Sequence, residues 1–73
     1  SSMKTYRYQI MGFTFATSPD DDQATYVSSR EAIKHCQTIE EAADLLKQIA
    51  SDHPECVHFG VTRGSFQVGE VAA

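Results

Sequence analysis

The chain has 73 residues and a net charge of −4 at pH 7; its length leaves room for a single domain over 1–73 and disfavours a deep enzymatic cleft. Folding at this size buries only about 60% of the surface the unfolded chain exposes, so one modest core must carry the stability. No apolar run approaches the roughly 20 residues that span a bilayer, the first residues lack a signal peptide's apolar stretch, and the acidic balance disfavours nonspecific nucleic-acid binding.

Ser1-Ser2 ahead of Met3 read as a cloning remnant. From Lys4, the apolar residues Tyr6, Tyr8 and Ile10 alternate with Thr5, Arg7 and Gln9, the period of a half-buried strand. The phase then changes to Phe13, Phe15 and Thr17, and a two-residue turn at Met11-Gly12 accounts for the change by aligning both apolar sets on one face of a hairpin. Ser18-Pro19-Asp20-Asp21-Asp22 reads as an exposed turn. The stretch Ala24–Cys36 is ambiguous: Tyr26 and Val27 favour a short edge strand, whereas Ser28-Ser29-Arg30-Glu31 offers a helix start for Arg30–Cys36.

Thr38-Ile39-Glu40-Glu41 is a capping box and opens the main helix, in which Ile39, Ala42, Ala43, Leu46, Ile49 and Ala50 recur at helical spacing. Pro54 disfavours helical geometry at His53 and predicts the stop. Val57, Phe59 and Val61 then alternate with Cys56, His58 and Gly60, and a turn at Arg63-Gly64 would set Phe66 and Val68 opposite them. The expected fold is α+β: a four-stranded antiparallel sheet in ββ-α(α)-ββ order, its aromatic face covered by the helix. Thr5, Arg7, Gln9, Thr14, His58, Thr62, Ser65 and Gln67 would form a polar opposite face.

His35, Cys36, His53, Cys56 and His58 are zinc-ligand types, but no Cys-x-x-Cys pair or other metal spacing joins them, so no metal or other cofactor is expected. A Cys36 or Cys56 nucleophile would need an orienting group, an oxyanion site and a cleft, none of which the sequence marks. Two cysteines are too few for a disulfide scaffold, and reduced thiols in a cytoplasmic protein are the expectation. Asp20-Asp21-Asp22 lacks the alternate spacing of a calcium loop, and the glycines follow no phosphate-loop pattern. Tyr6, Tyr8, Phe13 and Phe15 could stack bases, but the helix's apolar stripe needs the same surface.

Charge is distributed unevenly. Residues 20–55 hold nine acids against Arg30, Lys34 and Lys47, a net −6, while Lys4, Arg7 and Arg63 against Glu70 leave +2 elsewhere. These features favour a noncatalytic protein-binding module, a regulator or inhibitor that presents Asp20, Asp21, Asp22, Glu40, Glu41 and Asp44 to a basic or nucleic-acid-binding protein. A phage or bacterial anti-defence inhibitor of a nucleic-acid-handling complex is the specific form of this expectation. The alternatives are a nucleic-acid-binding module using the sheet face through Lys4, Arg7 and Arg63, and a small zinc-binding protein. An edge strand over 4–10 or 65–71 could also pair with a second copy.

Overall fold

The computed structural model describes residues 2–70. Strand β1 (Ser2–Ser18) turns at Pro19-Asp20 into β2 (Asp21–Cys36), helix α1 (Ile39–Asp52) follows, and β3 (His58–Glu70) closes the described chain. The sheet is three-stranded and antiparallel, in the order β2-β1-β3. The fold is therefore α+β with three strands rather than four, and the long β1 lies in the middle.

Neither expected two-residue turn forms. At Met11-Gly12 the backbone continues, pairing Met11 with Ala32 and Gly60, and Gly12 with Glu31 and Phe59. The phase change in β1 is a change in which face bears large side chains. Ile10 is fully buried under α1, and Gly12 lies on the same side, where a Cβ would meet Ile33 and Cys56. Met11, Phe13 and Phe15 occupy the alternate positions and so belong to the face opposite α1. The Phe13 ring lies beside Gly60 and is 5.7 Å from the His58 ring, across the sheet from Phe59 and Val61.

At Arg63-Gly64 the strand also runs on. Tyr6 pairs with Phe66 and Tyr8 with Arg63, so Gly64 and Ser65 stand opposite Arg7 alone, a β-bulge. A bulge shifts the alternation by one residue just as a turn does, which is why the sequence pattern admitted both. The ambiguous stretch 24–36 is strand throughout, with irregularities at Ile33, at Ser28 and over 22–24.

The helix follows its local signals closely. The Glu41 amide donates to Thr38 Oγ1 at 3.1 Å, half of the expected capping box, while the Glu41 carboxylate reaches back one residue further and accepts from the Gln37 amide at 3.4 Å instead of from Thr38. At the other end the His53 amide donates to the Ile49 carbonyl at 2.9 Å, just before Pro54. Ala42 and Ile49 are buried against Ile10 and Cys36, with Tyr8, Ile33, Leu45, Leu46, Phe59 and Val61 packed around them. Ile39, expected inward, is 50% exposed, and Ala43 and Ala50 are exposed too. The helix therefore sits rotated toward its Ala42-Leu45-Leu46-Ile49 side.

Pairing of β3 with β1 begins at His58 opposite Phe13. Beyond that level the sheet narrows to a two-stranded ribbon of residues 14–18 and 21–29. Thr14 Oγ1 lies 2.9 Å from Ser28 Oγ and 2.6 Å from Ser29 Oγ, tying the ribbon's base together. The ribbon gives the molecule its length, with extents of 46 × 24 × 24 Å.

Candidate functional site

The six acids singled out from the sequence fall into two groups. Asp20, Asp21 and Asp22 lie at the ribbon tip, where Asp20's amide donates to Ser18 Oγ at 3.4 Å and Gln23's amide to Asp21 Oδ1 at 2.9 Å. Glu40, Glu41 and Asp44 stand on the first turns of α1, near Thr5, whose carbonyl accepts from Gln37 Nε2 at 2.8 Å. Cys36, just before α1, pairs with Tyr8, ten residues of β1 from the tip. At about 3.3 Å per residue the groups are some 30 Å apart. They cannot form one patch.

On α1, Glu40, Asp44, Gln48 and Asp52 follow one another at four-residue intervals and all are exposed. They make a ridge along the solvent side, since four residues advance slightly more than one helical turn. Gln48 Nε2 donates to both Asp52 oxygens, at 3.2 and 3.3 Å. Among the described residues no ion pair engages Glu40, Glu41, Asp44 or Asp52, and the one present joins His53 Nδ1 to Glu55 Oε1 at 3.1 Å. A backbone amide and His53 hold the Glu55 carboxyl below its usual range.

The face opposite α1 is not the polar surface the alternation suggested. Gln9, His58 and Thr62 belong to it by register, but Met11, Phe13 and Phe15 join them, with Val27 paired to Phe15. Phe15 is 47% and Val27 42% exposed, and among the described residues no helix covers them. Of the four aromatics expected as core, only Tyr8 packs against it. The missed signal was the phase change itself, which marks the point where large side chains cross from one face to the other.

Toward the opposite end from the tip, Arg7 and Arg63 line an open cavity of about 300 Å³ with Thr5, Tyr6, Gly64 and Ser65. The Gly64-Ser65 bulge opposite Arg7 brings this set together. Lys4 Nζ lies 5.3 Å above the Tyr6 ring at the same end.

The zinc-type residues are dispersed. His35 Nε2 lies 3.2 Å from Gln9 Nε2, and its ring is near Tyr6 and Phe66. His53 faces Glu55, and His58 faces Phe13. Among the described residues no three of the ligand-type side chains gather. Both cysteines are free. Burial, then the nearby Glu41, pushes the Cys36 thiol up, and the thiol donates to the Thr38 carbonyl at 3.5 Å. Partial burial, then Glu55 and Glu31, pushes the Cys56 thiol up as well. Raised values favour the thiol over the reactive thiolate. No helix is long and apolar enough to cross a membrane, among the described residues.

Compared with protein-family models, with curated proteins and with solved structures, the chain has no significant match.

Proposed function

We propose that the protein is a noncatalytic protein-binding module, a regulator or inhibitor, whose contact surface is the carboxylate ridge of α1 and whose partner presents a basic surface. The observation that carries the reading is the placement of Glu40, Asp44 and Asp52, with Glu41 beside them, on exposed turns without ion-pair partners among the described residues. Glu40 and Glu41 suit the positive end of the helix, but Asp44 adds a like charge four residues after Glu40. Asp52 stands in the last turn, where the dipole disfavours an acid and no basic residue offsets it. Each of the latter two placements costs a few tenths of a kcal/mol in an isolated helix. A cationic partner would convert these local costs into attraction and would be steered to the ridge over a Debye length of about 8 Å.

A protein that binds nucleic acid is the natural basic partner, since a line of carboxylates presents the charge its groove expects from phosphates. An inhibitor of a bacterial nucleic-acid-handling complex is the specific form of this proposal. Affinity capture with nuclease present, using wild type and a Glu40→Lys/Glu41→Lys/Asp44→Lys variant, tests it. A stoichiometric basic protein should be retained by the wild type and lost by the variant. Equal retention by both would refute the assignment of the ridge.

A further inference from the structure

We infer that the sheet face opposite α1 binds single-stranded nucleic acid, stacking bases on two rows of rings that cross the sheet and holding phosphates with Lys4 and Arg30. The first row is placed by its contacts. His35 pairs with Gln9 and so stands on the side away from Tyr8, Ile10 and Cys36, which pack under α1. Its ring lies 5.7 Å from the Tyr6 ring and 5.9 Å from the Phe66 ring, which brings one ring from each strand together on that side. Gln9 Nε2 lies 3.2 Å from His35 Nε2, and Lys4 Nζ stands 5.3 Å from the centre of the Tyr6 ring.

The second row is placed by register. Phe13 pairs with Arg30 on β2 and with His58 on β3, and its ring is 5.7 Å from the His58 ring. Arg30 and His58 are exposed, and Phe13 is half-buried. Tyr6 and Phe13 are seven residues of β1 apart, about 23 Å, with Gln9 and Thr62 as polar groups between the rows. Arg63, expected from the sequence to serve this role, pairs with Tyr8 and belongs to the α1 side.

Charge separates this face from the rest of the molecule. Between the levels of Lys4 and Phe13 the described strands carry one acid, Glu31, and it pairs with Gly12 on the α1 side. Lys4 and Arg30 make no ion pair among the described residues. The exposed acids of α1 stand beyond both the sheet and the helix, and the helix alone is about 10 Å across, more than a Debye length of about 8 Å. A strand lying on this face is therefore screened from most of the net charge of −4. Rings set along a cationic path take bases by their flat faces whatever the sequence, whereas the bases of a duplex are already stacked on one another. A second copy is a poorer occupant, because a two-fold contact would set a face whose only fixed charges are positive against itself.

Fluorescence anisotropy on the purified full chain tests the inference, with a labelled oligothymidylate of about 12 nucleotides, long enough to cover the path at about 3.4 Å per stacked base. Circular dichroism establishes that each variant is folded. Wild type should bind the single strand at least about tenfold more tightly than a duplex of the same length. Phe13→Ala should bind about tenfold more weakly through loss of one stacked base. Lys4→Glu/Arg30→Glu changes two exposed side chains and leaves the core alone. It should weaken binding by more than about tenfold and remove most of a salt slope of about −1.4 in log K against log salt, the value for two phosphate contacts. Lys34→Glu/Lys47→Glu makes the same change in net charge on the α1 side, and should alter affinity by less than about twofold. No binding at low salt would overturn the inference, as would equal affinity for the duplex or equal losses from the two charge reversals. A wild type that sediments as a dimer, dissociates on Phe13→Ala and binds no oligonucleotide would assign the face to a second copy instead. Oligonucleotide binding needs no partner protein, so its failure is separable from that of the α1 ridge.

Discussion

Gly12 is the position where one added carbon should be felt most. Among the described residues no glycine has a positive φ, so Gly12 is not held there by its backbone conformation. Space is the reason instead: a Cβ would stand 2.5 Å from Ile33 Cδ1 and 2.8 Å from Cys56 Sγ, both well inside van der Waals contact. Both neighbours are side-chain ends and can yield, but they press from two sides at once, Ile33 from β2 and Cys56 from the segment between α1 and β3. Overpacking of this kind costs about 1–3 kcal/mol. Replacing a strand glycine by alanine returns about 0.5–1 kcal/mol through the unfolded chain's entropy. Gly12→Ala should therefore destabilise by about 1 kcal/mol on balance, lowering the melting temperature by about 4–8 °C for a domain of this size. Thermal unfolding followed by circular dichroism at fixed protein concentration measures this. Adding Ile33→Val removes the nearest atom, so the double variant should lose less than the two single losses combined. Gly69→Ala, whose Cβ would meet only Met3 Sδ at an ordinary 3.5 Å, is the control and should be neutral or slightly stabilising. A Gly12→Ala protein as stable as wild type, or strict additivity with Ile33→Val, would refute the steric account.

Thr38→Ala removes the acceptor for the Glu41 amide and should cost about 1 kcal/mol, read as a lower urea midpoint. Ile49→Ala should cost about 2–5 kcal/mol, enough to unfold so small a domain at moderate temperature, because Ile49 is 2% exposed. Ile39→Ala, at a half-exposed position the periodicity placed in the core, should change the midpoint little. The raised Cys36 thiol means the folded state keeps its proton longer than the unfolded state. Its contribution to stability is present below the unfolded thiol's pKa and is lost as pH rises through the folded value. Urea midpoints at about pH 8 and about pH 10 should therefore fall, and Cys36→Ala should flatten the fall.

Which parts of the fold were legible follows from where a periodic signal originates. Helix α1 could be read because Thr38, Glu41 and Pro54 act on the backbone within a few residues, with no need of the rest of the molecule. Phe59 and Val61 could be read because one face of β3 lies against the core and the other does not. The ribbon strand 21–29 was legible only as one of two alternatives, through Tyr26 and Val27, since neither of its faces is buried and burial is what creates alternation. The acids could be counted from the sequence, but their separation into a tip and a ridge depends on an uninterrupted β1.

The sequence by itself determined the class of the fold, the helix and its caps, and the chain's division into acidic and basic regions. Tertiary structure alone decided that the phase change at Met11-Gly12 is a crossing of apolar side chains between faces and that the one at Arg63-Gly64 is a bulge. A turn, a bulge and a change of buried face all shift a two-residue period in the same way. They are told apart only by which strand lies alongside, and that depends on residues far away in the chain.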